Sequence, residues 1–203
     1  MEGTLVDTVF SRLVWEVGLP DLYAEERGID HEAAVKKVMK EYSEIGPERI
    51  EWYDLKYWFK RFQLQTEWRR LLERYKGNIS IYPEVKDVLE HLSKEYELIL
   101  ISNTSREFMA VMTEGLSKYF AHTFSGPTDF KMLKFPNLYT KIVEQLGAKP
   151  QDIVHIGDHE KFDLTAARQA GIQAFLLDRT GERCGDCIVR DLKAFEIKLN
   201  ESS

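Results

Sequence analysis

The chain has 203 residues, 43% of them hydrophobic and 31% charged, which supports one substantial core, with or without a small inserted domain, and excludes disorder. Its formal net charge is −6 and its basic residues are scattered, so nucleic acid is excluded as an expected partner. No apolar run reaches the roughly 18 residues of a membrane span, and Met1-Glu2-Gly3-Thr4 lacks the basic and apolar parts of a secretory signal, so a cytoplasmic location is expected.

Asp7 is placed to cap or start the first helix. Residues 19–78 are dense in aromatics and charges and show no strand pattern. Ala34, Val35, Val38, Met39 and Tyr42 share one face of a helix predicted over His31 to Tyr42. Glu51 to Phe62 is a second, aromatic-rich helix candidate. Thr66 is the predicted N-cap of a third, with Trp68, Leu71, Leu72 and Tyr75 as its buried stripe and Gly77 as its stop. This zone reads as a bundle of about four helices. Its aromatic residues are most simply the bundle's own core.

From Pro83 onward, strands and helices alternate. Pro83 opens a helix carrying Val85, Val88, Leu89 and Leu92. Leu98-Ile99-Leu100-Ile101 is apolar on both faces, as a buried parallel strand is, and ends at Ser102-Asn103. A helix through Phe108, Val111 and Met112 follows, then a short strand from Ala121 to Ser125. Next come a helix from Leu138 to Leu146 stopped by Gly147, and a strand Ile153-Val154-His155-Ile156 ending at Gly157-Asp158. A helix from Leu164 to Ala170 and a strand Ala174-Phe175-Leu176-Leu177 complete the pattern. The fold class expected is α/β, a doubly wound parallel sheet with an inserted helical bundle as cap. The expected division is a core of residues 1–18 and 79–203 and a cap of residues 19–78. Near the C-terminus, Cys184 and Cys187 stand in a C-x-x-C turn. With no second ligand pair, they are read as structural or incidental thiols, with a local disulfide as the other option.

In doubly wound sheets, ligands bind beyond the carboxyl ends of the strands. Three such ends carry polar residues: Ser102-Asn103, Gly157-Asp158 and Asp178-Arg179. Asp158 and Asp163 are five positions apart, after a tight turn at Gly157. Two carboxylates held this close call for a cation between them, and Mg²⁺ favours one or two carboxylates completed by water and phosphate oxygens. Ser102-Asn103 precedes a helix, where a hydroxyl and free amides can cradle a phosphate, although the pair read alone is an ordinary N-cap. Lys134 lies just before a helix, where it could neutralise a phosphoryl group. His159 reads as a polar loop residue and Arg179 as a salt-bridge partner.

Glu2-Gly3-Thr4-Leu5-Val6-Asp7, Ile101-Ser102-Asn103, Lys134, and Ile156-Gly157-Asp158 with Asp163, Ala166-Ala167 and Ala170-Gly171 occur in that order. Together they resemble the haloacid-dehalogenase-like (HAD) hydrolase superfamily, in its phosphatase-type branch with a helical cap. Lys134 lacks the proline that commonly follows the motif lysine, which leaves Lys131 as the other candidate. The family's first motif reads Asp-x-Asp-Gly-Thr. Met1 falls at the x position, and Glu2 replaces the second Asp.

The resemblance implies a Mg²⁺-dependent hydrolase of a small phosphorylated metabolite, acting through an aspartyl-phosphate. The nucleophilic Asp and its apolar strand are expected directly before Met1, with the native start upstream. The chain from Met1 onward would then be inactive by itself. Glu2 would act as acid and base, Thr4, Ser102, Asn103 and Lys134 would hold the phosphate, and Glu2, Asp158 and Asp163 would hold the metal. Two alternatives stay open. One is a non-catalytic scaffold that binds a phosphorylated ligand or a protein partner. The other is a dehalogenase, against which the Asp158 and Asp163 pair argues.

Overall fold

The computed structural model describes residues 1–201. Residues 9–78 form helices and turns only. α1 (Val9–Arg12) runs through a wide π-helical stretch at Leu13–Gly18 into α2 (Leu19–Arg27), followed by α3 (His31–Ile45), α4 (Leu55–Arg61) and α5 (Trp68–Tyr75). The boundary expected at residue 18 falls at the junction of the π-helical stretch and α2. Asp7 does meet the first helix, its Oδ1 accepting the Val9 amide at 3.1 Å.

Two local expectations give way to particular contacts. The helix expected from Glu51 to Phe62 breaks at Asp54, which ends a 3₁₀ turn (Ile50–Tyr53) and caps α4 by accepting from the amides of Lys56 and Tyr57. Thr66 does not cap α5. The amides of Gln65 and Thr66 donate instead to the Glu26 carboxylate of α2, at 2.7 and 2.9 Å, and Glu67 holds the cap position without a side-chain bond. Gly77 likewise sits inside a 3₁₀ turn, Lys76–Asn78, beyond the end of α5.

The remainder alternates as the apolar runs dictate. α6 (Val85–Leu92) leads to β1 (Ile99–Ser102), α7 (Arg106–Met112) to β2 (His122–Ser125), α8 (Pro136–Leu146) to β3 (Val154–Gly157), and α9 (Ala166–Gln169) to β4 (Gln173–Leu177). Gly147 ends α8 in the left-handed region that glycine favours. The helix expected from Leu164 begins earlier, as a π-helical turn at Glu160–Thr165. A short β5 (Ile188–Val189) and α10 (Leu192–Glu201) close the chain.

All strand pairs are parallel. β1 pairs with β2, Leu100 opposite Thr123. β3 pairs with β4, His155 opposite Ala174, and β4 pairs with β5. The strands therefore fall into two sheets, β1-β2 and β3-β4-β5. Between them lies a cavity of about 400 Å³, whose walls include Leu98 to Ile101 on one side and Ile153 to Ile156 on the other. Among the described residues no helix is long and apolar enough to cross a membrane.

One apolar cluster joins the helical segment to the sheet layer, running from Phe10, Val14 and Trp58 to Phe108, Phe175 and Phe195. Trp58 is fully buried, stacks on Phe62 with ring centroids 5.7 Å apart, and donates its indole N–H to the Trp52 carbonyl at 3.3 Å. Truncation there leaves a large void that its neighbours fill only in part. Trp58→Ala is expected to lower unfolding stability by about 3–5 kcal/mol, measured by urea denaturation followed by circular dichroism.

Candidate functional site

The site forms where β1 and β3 end. Beyond β1, Ser102 and Asn103 are both buried. Ser102 Oγ accepts the Thr104 amide at 3.1 Å, and Asn103 Oδ1 accepts the backbone N–H of Lys134 at 2.7 Å. That second bond fixes the start of the segment leading into α8. The Lys134 side chain lies inward, and the lysine is 7% exposed. Lys131, by contrast, is exposed and sits at a left-handed turn (φ +56°). Lys134 is therefore the lysine brought to the other site residues.

Beyond β3, Asp163 is almost fully buried and every contact it makes favours its charge. Oδ1 receives Lys134 Nζ at 2.5 Å and faces His155 Nε2 at 3.0 Å, while Oδ2 accepts the His159 amide at 3.0 Å. Burial alone would raise its pKa. The Lys134 ammonium and the His155 hydrogen bond outweigh it and hold the carboxyl well below the usual range. Burial lowers the pKa of His155, against the pull of Asp163. Gly157 makes this packing possible, because a side chain there would collide with the Asp163 carboxylate.

Asp158, at the turn itself, points outward and is exposed. Thr4 Oγ1 donates to its Oδ1 at 2.9 Å. Gly3 takes φ +71° against it, where any side chain would strike the carboxylate. The N-terminal loop is thus pressed onto the end of β3. Arg179, beyond β4, pins it there by donating to the carbonyls of Gly3 and Thr4 at 3.1 and 2.7 Å and to Glu84 at 2.7 Å, with its guanidinium 3.6 Å from the Tyr82 ring. From the sequence Arg179 reads only as a salt-bridge partner, since its two carbonyl partners lie about 175 residues away. The Met1 amino group is buried near Lys134, Asp158, Asp163 and Glu2. Burial first, and then Lys134, lower its pKa.

Glu2 is half-buried, and its carboxyl pKa is pushed up to about 7, chiefly by burial, with a hydrogen bond to Ser11 opposing the shift. Such a group can hold and release a proton near neutrality. His159 serves locally, its Nδ1 accepting the Phe162 amide at 3.4 Å. From the helical segment, Tyr53 reaches Asn103. Burial raises its phenol to about 12, and the bond to Asn103 opposes that rise.

Hydrogen bonds thus link Asn103, Lys134 and Asp163, and Asp158 and Thr4 join them through the β3 turn. Among the described residues no three His, Cys, Asp or Glu side chains cluster as a ready metal cage. The oxygen donors present, an outward Asp158 carboxylate above all, suit Mg²⁺, which keeps much of its water and takes one or two carboxylates. Cys184 and Cys187 are free thiols, exposed and half-buried, in the turn before β5.

The sequence model of the haloacid dehalogenase-like hydrolases matches residues 1–171. The GMP/IMP nucleotidase YrfG of Escherichia coli is 25% identical over 181 residues, 85% of this chain and 78% of that protein. A phosphoglycolate phosphatase of Escherichia coli is 31% identical over 111 residues, 51% of this chain and 44% of the relative. A HAD phosphatase from Thermococcus onnurineus superposes with a TM-score of 0.86 at 23% identity, covering 98% of this chain and 94% of its own. A 2-haloacid dehalogenase from Pseudomonas syringae gives 0.73 at 22% identity, covering 100% and 96%. These last two likenesses show a shared fold.

The raised Glu2 carboxyl carries a sign that can be measured. Folded Glu2 keeps its proton up to about pH 7, whereas the unfolded side chain loses it near 4.5. Between those values the unfolded state binds fewer protons, so stability falls as pH rises and the loss is complete above the folded value. Relative to Glu2→Gln, the wild type is expected to lose about 1–3 kcal/mol between pH 4.5 and pH 8. Urea midpoints of both proteins at the two pH values check this.

Proposed function

We propose, from the premise that the chain belongs to the haloacid dehalogenase-like hydrolase family, that it hydrolyses a small phosphorylated metabolite with Mg²⁺, in the cytoplasm. The observation that carries this reading is the buried Lys134–Asp163 pair, coupled to Asn103 on one side and to the Asp158–Thr4 contact on the other. One fixed cation, buried polar groups at a strand end and an outward carboxylate are what a phosphoryl group needs for binding and charge neutralisation. The nucleotidase and phosphatase relatives support the choice of phosphate monoesters as substrates.

In this reading Thr4, Ser102 and Asn103 orient the phosphoryl oxygens and Lys134 neutralises their charge. Asp158 and the Glu2 backbone carbonyl would hold Mg²⁺, which supplies further charge neutralisation. Asp163 supports them from behind, since its two oxygens already accept three donors. Glu2 gives a proton to the leaving oxygen and then takes one from the attacking water, a role its raised carboxyl suits. The nucleophile would be an aspartate directly before the Met1 position, forming an aspartyl-phosphate. What supports it is the sheet: β1 and β3 face each other across the apolar cavity, each hydrogen-bonded on one side only. A parallel strand entering there would pair both edges and deliver its last residue among Lys134, Asp158 and Asp163.

The test is phosphate release from p-nitrophenyl phosphate by a chain extended upstream through that aspartate. Turnover is expected with Mg²⁺ and not with EDTA, and Asp158→Asn is expected to reduce it by on the order of 10²-fold or more. The chain starting at Met1 is expected to release none. No turnover by the extended chain, with its fold intact, would leave the scaffold reading in place. Metal-independent halide release from a 2-haloacid would favour the dehalogenase.

A further inference from the structure

Tyr139 and His155 belong to none of the roles above, yet they lie directly behind the site. Tyr139, in the first turn of α8, is fully buried, and its ring meets the His155 imidazole edge-on at 5.2 Å. Its hydroxyl donates to the Phe162 carbonyl at 2.8 Å and also lies 3.1 Å from His155 Nε2. A phenol has one proton. With that proton committed to the carbonyl, the phenol oxygen can offer His155 only a lone pair. The second neighbour of Nε2 is the Asp163 carboxylate, also an acceptor, at 3.0 Å. Both groups facing Nε2 are therefore acceptors, and a bare Nε2 would set three buried lone-pair atoms against one another. The hydrogen must sit on Nε2.

We propose that His155 is a positioning residue whose Nε2–H, its tautomer fixed by Tyr139, shares Asp163 Oδ1 with Lys134 and so keeps the ammonium available to a bound phosphate. The proposal rests on the phosphatase reading. Its physical content is a competition at one oxygen. If Lys134 were the sole donor to Oδ1, the buried carboxylate would draw the ammonium wholly to itself. The second donor satisfies part of that oxygen and fixes the plane of the carboxylate, whose other oxygen accepts the His159 amide at the metal loop. The imidazole also ties β3 to α8 through Tyr139, so that the two segments bearing Asp163 and Lys134 keep one spacing.

The experiment uses the full chain at pH 7.5 and two readouts. Long-range ¹H–¹⁵N spectra of the histidines are expected to show His155 with a protonated, pyrrole-type Nε2 and an imine-type Nδ1. Calorimetric titration with inorganic phosphate in the presence of Mg²⁺ is expected to weaken about 10–100-fold in His155→Leu, the size seen when partners of ligating groups are removed. His155→Gln, whose amide can still donate to Asp163, is expected to stay within about threefold of the wild type. His155→Asn, too short to reach, replaces the leucine variant if that one does not fold. An Nδ1–H tautomer overturns the proposal. So does phosphate binding in the leucine or asparagine variant within threefold of the wild type, or a glutamine variant as weak as they are. If the wild type itself binds no phosphate, the phosphatase reading falls and this role falls with it.

Discussion

A carboxylate with almost no exposure to water governs this structure. Asp163 survives as an anion only because Lys134, His155 and the His159 amide all donate to it. An unpaired buried charge costs several kcal/mol even after relaxation, and breaking a buried pair typically costs about 3–5 kcal/mol. That requirement organises the neighbourhood. Gly157 has to lack a side chain so that the carboxylate can fold back over the end of β3. Lys134 has to turn inward, and its backbone is tied at that point to Asn103. A buried ion pair of this kind is weak evidence for stability, because a well-packed apolar pair would do as well or better. Its retention is easier to understand as a means of holding one lysine at one place beside an outward Asp158.

Much of this was legible in the sequence, and the reasons differ by residue. The run ending at Ser102 announced itself as a strand because it is apolar on both faces, yet neither it nor the run ending at Gly157 is wholly buried, since both line the cavity between the sheets. Asp158 and Asp163 were legible as a pair because the turn and the spacing are local. What the spacing could not show is that the two have opposite fates, one outward and one buried, since that depends on donors from the segment before α8 and from the middle of β3. Arg179, Tyr53 and His155 were illegible as site residues for the same reason: their partners are the Gly3 carbonyl, Asn103 and Asp163, distant in sequence or hidden by the strand. Thr66 shows the converse. Its residue type fits an N-cap, yet its own amide and that of Gln65 donate to Glu26 of another helix, and the cap position falls one residue later, at Glu67.

The helical segment raises the question of what fixes its position over the site. Ion pairs cross the boundary, Glu48 to Lys161 and Lys56 to Glu107, but their side chains are largely exposed. Exposed pairs contribute about 0–1 kcal/mol and are screened by salt. The aromatic contacts are a stronger tie. Trp15 stacks on Phe108 of α7 at 5.4 Å, and Phe10 meets the same ring at 5.3 Å, within one apolar cluster that continues to the sheet layer. Aromatic pairs add about 0.5–1.5 kcal/mol beyond the burial of their area, and Phe10 and Phe108 are almost wholly buried. The root of the helical segment is therefore welded to the core by apolar packing, whereas its far side, around Glu48 and Lys56, is held by weak polar contacts. Tyr53 sits on that weakly held side, beside Asn103. Its hydroxyl donates to the Pro47 carbonyl at 3.0 Å, so the phenol beside the phosphate end of the site is anchored within the helical segment itself.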